Sequence, residues 1–181
     1  MFFRKSRIEP LPVTMSAVRM GERVLQIGID DPAIVGVLAS KVGLSGNAAV
    51  VVVSDTEAQR ARSAAAGAGV LVDVHVTSLS SLPFESAMFD LVIVHGMRGL
   101  LSSLEPTART QALRECHRVL RVGGRLMTIE AAPASGLKGM LSKSPESTYD
   151  VISVLESAGF RPARLLAERE GYKFAEGIKQ S

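Results

Sequence analysis

The sequence predicts an α/β protein of three layers: helices on both faces of a mostly parallel sheet of seven strands, with an antiparallel strand near the C-terminus. Three observations predict it. Short, nearly all-aliphatic segments alternate with Ala-rich or amphipathic segments of helical period, the pattern of a parallel sheet covered on both faces. Apolar residues make up 46% of the chain but aromatics only 4%, so the core is built from Val, Leu, Ile and Ala. The 181 residues suit one domain with a full core.

The elements follow in order. Residues 1–20 read as an N-terminal extension, with Pro10 and Pro12 breaking it, and 21–181 as a single domain. "RVLQIGI" (23–29) is a short buried strand. "DPAIVGVLASKVG" (31–43) is a helix with Asp31 as N-cap and Pro32 at its first position. "AAVVVVS" (48–54) is a strand buried on both faces, and "DTEAQRARSAAAGAG" (55–69) a helix stopped by Gly67 and Gly69. "LVDVHVTS" (71–78) alternates like a strand nearer an edge, whereas "FDLVIVHG" (89–96) is another buried strand. "TARTQALRECHRVLRVGG" (107–124) is a helix ended by its two glycines, followed by the strand "RLMTIEA" (125–131). A Ser/Pro/Gly/Lys loop covers 132–146, and a helix 147–160. "ARLLAEREGYKFAEGIK" (163–179) reads as two strands turning at Gly171, which must be antiparallel to each other.

Composition excludes several function classes. A net charge of +3 is too small to argue for nucleic acid. No apolar run approaches the roughly 18 residues of a membrane helix, so no stable membrane insertion is expected. "MFFRKSR" lacks the apolar core of a signal peptide and reads as a frayed terminus. The one cysteine, Cys116, excludes an internal disulfide and suits a cytoplasmic setting. His75, His95 and His117 share no metal-ligand spacing, so no metal is expected. Ser-x-Gly elbow, paired-carboxylate and Walker lysine motifs do not occur.

In sheets of this kind a ligand sits outside the carboxyl ends of the strands, at the switch point. The residues expected there are Gly28, Ile29 and Asp30, then Asp55, then Ser78 and Leu79, then His95, Gly96 and Met97. Gly28 permits positive φ and close approach of a ligand, or simply makes a tight turn. Asp55 ends the second strand, where a carboxylate grips a ribose diol; it also suits the N-cap of the next helix. His95 is a weak catalytic candidate: a general base, or a neutral imidazole making one hydrogen bond. Arg114, Arg118 and Arg121 fall on one helical face and read as solvated rather than as a docking patch.

Several words resemble the class I S-adenosylmethionine-dependent methyltransferases, a Rossmann-like superfamily. "LPFESAMFDLVIVHG" (82–96) is similar to its Leu-Pro-Phe…Phe-Asp-Val-Val segment, and "ECHRVLRVGGRLMTIE" (115–130) to its Arg-Val-Leu-Lys-Pro-Gly-Gly-Arg-Leu segment. The ending "SAGFRP…GYKFAEGIK" is similar to its final helix and hairpin, and "HGMRGL" (95–100) resembles the Gly-Leu-Arg-Asn stretch of the quinone and small-molecule branch. The likeness spans residues 20–179.

It implies S-adenosylmethionine as cofactor, held by Gly28, Ile29, Asp30, Asp55, Thr56, Ser78, Leu79 and His95, and a small or lipid-like methyl acceptor. The family's acid-x-Gly-x-Gly-x-Gly word departs here to Gln26, Gly28, Asp30 and Pro32. Side chains at 30 and 32 intrude on the methionine part of the cofactor, and Asp30 sets a carboxylate near the cofactor's own. The short N-terminus implies an open acceptor site, or one completed by a second subunit in a homodimer or by the 132–146 loop with Lys138 and Lys143. Methyl transfer needs proximity and orientation more than acid–base groups. Two functions therefore stand: a methyltransferase, and a non-catalytic relative that uses the fold as a binding or scaffold module and has lost cofactor binding. The end hairpin and "RVLRVGGRL" disfavour a nicotinamide-dependent oxidoreductase.

Overall fold

A computed structural model describes residues 9–132 and 149–181. Of the predicted helix over 147–160, the described part forms a helix at Val151–Ser157; most of the 132–146 loop, with Lys138 and Lys143, lies outside the described residues.

Twelve elements follow in the order α1 (Leu11–Ser16), β1 (Arg23–Ile27), α2 (Pro32–Val42), β2 (Asn47–Val52), α3 (Asp55–Ala68), β3 (Asp73–Val76), β4 (Phe89–Gly96), α4 (Pro106–Val119), β5 (Leu120–Ala131), α5 (Val151–Ser157), β6 (Ala163–Arg169) and β7 (Tyr172–Ile178). They build one seven-stranded sheet in the order β3-β2-β1-β4-β5-β7-β6. The β1–β2, β1–β4, β2–β3 and β4–β5 pairings are parallel, while β7 runs antiparallel to both β5 and β6. One reversed strand in an otherwise parallel sheet is the predicted architecture. The switch point falls between β1 and β4, where successive crossovers leave the sheet in opposite directions.

The sheet's aliphatic strands are buried on both faces. On one face Val24, Leu91, Ile93, Met127 and Phe174 pack under α1 and α2 with Val13, Ile34 and Leu38. On the other, Leu25, Ile27, Val92, Val94 and Leu126 pack under α4 and α5 with Leu113, Val119 and Leu155. A smaller cluster sits beneath α3.

The capping residues explain where helices begin. Asp31 accepts from the Ala33 amide at 2.9 Å and Pro32 opens α2, as the sequence predicts. Helix α3 is capped by Ser54, not Asp55: Ser54 accepts from Glu57 N at 3.3 Å, and Glu57 reaches back to Val53 N at 3.4 Å. The word Ser-Asp-Thr-Glu is a capping box, which places Asp55 inside the first turn.

Two other expectations are corrected. Pro10 and Pro12 start α1 rather than break it; Pro10 O accepts from Val13 N at 2.9 Å, and Val13 is fully buried. Arg125 of β5 ties down the end of that helix by donating to the carbonyls of Ser16 and Ala17. The Arg114–Arg118–Arg121 face does not exist as a unit, because α4 ends at Val119 and Arg121 lies in β5, paired with Asp90. Arg118 is spent on Glu115 and on the carbonyls of Leu82 and Phe84.

Candidate active site

The carboxyl ends of β2 and β3 and the connection that follows β4 surround a cavity of about 600 Å³. Val53 and Val76 form its wall at the ends of β2 and β3, and Ser78, Leu79 and Ser80 follow β3. Leu100, Ser103, Leu104 and Ala108 close it from the β4–α4 connection and the start of α4. The lining is aliphatic with a few hydroxyls, the character of a site for a flat, weakly polar group. Ser78 Oγ lies 2.8 Å from Ser80 Oγ and accepts from Ser80 N at 3.3 Å, so its position is fixed by the turn.

Of the residues expected at this crevice, Ser78 and Leu79 line the cavity. Asp55 and Thr56 do not: they are exposed in the first turn of α3, and the residue that β2 delivers to the cavity is Val53, 53% exposed. The Ser54–Glu57 capping box was the signal that moves the strand end back to Val52 and Val53. Ile29 is 5% exposed and packs with Val35, Val50 and Ala58, so its side chain belongs to the core.

Gly28 has φ +76°, the left-handed region that glycine adopts without strain. Its amide donates to Val51 O at 2.8 Å. A Cβ there would meet Leu100 Cδ2 at 2.7 Å and His95 O at 3.1 Å. The glycine therefore admits Leu100, a side chain that also lines the cavity. Asp30 reaches across from the β1 turn and accepts from the Met97 amide at 3.0 Å. Burial pushes the Asp30 carboxyl above its usual range, against the opposing pull of the Met97 and Arg98 amides.

His95 is buried within β4, and its Nε2 lies 3.1 Å from Oε1 of Gln26 on β1. Burial drives the imidazole down to about 4, so it is neutral at pH 7. Gln26 stands where the related motif carries an acid, and its Nε2 has no hydrogen-bond partner among the described residues.

On the opposite face, sequence reasoning missed a second polar group. Glu130, near the end of β5, accepts from the Tyr149 hydroxyl. Arg109 of α4 lies 3.9 Å over the Tyr149 ring and donates to the carbonyls of Leu101, Ser102 and Leu104. Burial raises the Glu130 carboxyl to about 7, with Lys173 and Arg109 opposing. The only signal was a carboxylate at the carboxyl end of a strand. No group of three or more His, Cys, Asp or Glu that could hold a metal occurs among the described residues.

This strand order, with its reversed β7 and a cavity at the switch-point end, defines a Rossmann-like protein of the methyltransferase architecture. A family model described as "Methyltransferase domain" matches residues 25–128, and the chain belongs to that family. The chain is 28% identical over 171 residues to the ubiquinone/menaquinone biosynthesis C-methyltransferase UbiE of Ralstonia pickettii, covering 92% of this chain and 64% of that protein. To the protein of that name from Hydrogenovibrio crunogenus it is 27% identical, covering 92% and 62%. It thus spans under two thirds of these relatives' length. Among solved structures, a SAM-dependent methyltransferase from Aquifex aeolicus superposes with a TM-score of 0.73 at 20% identity, covering 92% of this chain and 86% of that one. PH0226 from Pyrococcus horikoshii gives 0.71 at 18%, covering 93% and 87%.

S-adenosylmethionine is the cofactor of the superfamily. The cavity, with its aliphatic walls and the Ser78 hydroxyl, fits the nucleoside half of that molecule. The β1 turn is less open to its amino-acid half: Leu100 fills the space over Gly28, and Asp30 presents a carboxylate.

Proposed function

We propose that this chain is an S-adenosylmethionine-dependent methyltransferase of the cytoplasm that acts on a small or lipid-like molecule. The observation that carries it is the cavity at the carboxyl ends of β2, β3 and β4 in a chain of this family. Val53, Val76, Leu79 and Leu104 would pack on the nucleoside, with Ser78 the nearest hydrogen-bonding side chain. The cofactor supplies an activated methyl group; the chain's part is to orient donor and acceptor and exclude water. The acceptor side would lie at the rim of β5, where Tyr149 meets Glu130, and a second copy of the chain could complete it. The likeness to quinone C-methyltransferases supports a hydroquinone-type acceptor.

Isothermal titration with S-adenosylmethionine tests the reading. A saturable isotherm with Kd between about 1 μM and 1 mM is expected, and methyl transfer to a short-chain hydroquinone should appear as a mass gain of one methylene. No heat at roughly millimolar cofactor removes the reading. The blocked β1 turn favours a second one, a non-catalytic binding or scaffold protein that has lost cofactor binding; a folded wild type that gives no heat with the cofactor, and gains binding when glycine replaces Asp30 and Pro32, would select it.

A further inference from the structure

Leu100 does two things at once. It lines the cavity, and it lies against Gly28 so closely that even a Cβ there would meet it at 2.7 Å. It is the partition between the cavity and the β1 turn. Asp30 holds the segment that carries it, through the bond from its carboxylate to the Met97 amide at 3.0 Å. The start of α2 offers an anion nothing in compensation. Pro32 has no N–H, and the Ala33 amide is already taken by Asp31. Three independent features therefore oppose the carboxylate end of an amino-acid tail at this turn: a steric partition, a like charge, and a helix start whose donors are used internally.

We propose that Asp30 is a selectivity residue: clasped to the Met97 amide, it leaves a cavity that accepts a thioether nucleoside, and the amino-acid tail of the whole cofactor enters only when the clasp is released. This rests on the proposed function, since it presumes that the cavity takes the nucleoside half. Its physical content is a population cost. A ligand that needs the open arrangement binds more weakly by the fraction of molecules that are open, and a ligand that fits the closed one does not. Burial of the Asp30 carboxyl, with Arg98 and Glu57 the charged groups acting on it, agrees with a contact held in a partly dry crevice.

The experiment is a titration of two ligands, S-adenosylhomocysteine and 5′-methylthioadenosine, into the wild type, Asp30→Ala, Asp30→Asn and Leu100→Ala. The two ligands share the nucleoside and differ in the amino-acid tail. The wild type should bind methylthioadenosine at least as tightly as the homocysteine compound. Asp30→Ala should raise affinity for the tailed ligand about tenfold or more, the worth of one hydrogen bond to a charged group, and leave the nucleoside unchanged; Leu100→Ala, which also opens the cavity wall, should shift the ratio of the two affinities in the same direction. Asp30→Asn, which keeps the volume and loses the charge, should show the same change in part, and thermal melting confirms that each variant is folded.

Equal gains for both ligands would overturn the inference, since they would mean general loosening. So would a loss of tailed-ligand affinity in Asp30→Ala, since Asp30 would then be a contact of the tail. Tight binding of the tailed ligand by the wild type defeats the inference and leaves the proposed function standing. No binding of either ligand by any of the proteins defeats both.

Discussion

The two faces of the sheet meet at the same rim and handle polarity in opposite ways. Under α1 and α2, the polar pair near the switch point is turned inward: His95 lies 3.1 Å from the Gln26 side chain and is neutral at pH 7. Under α4 and α5, the rim carries an ion-rich chain, Arg109 over Tyr149 and Tyr149 on Glu130. One side is sealed by packing, the other is held by hydrogen bonds to loop carbonyls. The difference teaches that a family crevice can keep its backbone shape while its polar groups are redirected to the chain itself.

The largest effect is expected on the hydrogen-bonded side. Arg109→Ala leaves the carbonyls of Leu101, Ser102 and Leu104 without their buried donor and removes the cation over Tyr149. The cost should be on the order of 4 kcal/mol in urea unfolding, and the cavity wall at Leu100 and Leu104 should loosen with it. Arg109→Lys keeps the charge but not the fork, and about half the loss should remain. A loss under 1 kcal/mol for Arg109→Ala would show that the β4–α4 connection stands without it.

Next is the β1 turn, where Leu100 of the β4–α4 connection packs on Gly28. Gly28→Ala forces a Cβ onto backbone at φ +76° and against Leu100 and the His95 carbonyl. Leu100 can move; the carbonyl cannot without disturbing β4. Destabilisation of about 3 kcal/mol is expected. The double variant Gly28→Ala, Leu100→Ala should recover part of it, which a simple loss of backbone freedom would not allow.

The sequence made one side far more legible than the other. Asp31, Pro32 and Gly28 are local signals, each readable from its neighbours, and α2 and its turn fall where they place them. The reversed β7 was legible because a two-residue turn at Glu170 and Gly171 leaves no alternative. Asp55 was misread as a strand end because a run of valines has no internal punctuation, and only the capping box at Ser54 and Glu57 fixes the frame. The Arg109–Tyr149–Glu130 chain joins three elements distant in sequence, and no spacing rule brings them together. The closure of the turn was half legible: Asp30 could be seen to intrude, but its bond to Met97 and the seat of Leu100 on Gly28 depend on how the β4–α4 connection folds back.

Two titratable groups, the buried His95 and the half-buried Glu130, sharpen the comparison through pH. His95 is held down to about 4 from an ordinary 6.5. Above pH 6.5 it is neutral folded or unfolded and contributes no slope. As pH falls toward 4 only the unfolded chain takes the proton, so stability drops by about 3 kcal/mol. Replacing His95 with Gln should remove that slope, as seen by urea unfolding at several pH values.

Glu130 works in the reverse sense and gives the smaller effect. Its folded carboxyl titrates near 7 against 4.5 unfolded. Below pH 4.5 it is protonated in both states. As pH rises toward 7 the unfolded chain loses its proton first, so stability falls by about 2 kcal/mol once its partial exposure is allowed for. Between pH 4.5 and 6.5 the two residues therefore oppose each other, and the wild type should show a shallow profile there. His95→Gln exposes the falling limb, and Glu130→Gln the rising one. Tyr149→Phe should leave the His95 limb untouched while altering the Glu130 limb, since only Glu130 accepts the tyrosine hydroxyl. A variant of either face that shifted both limbs would mean that the rim behaves as one coupled site rather than two.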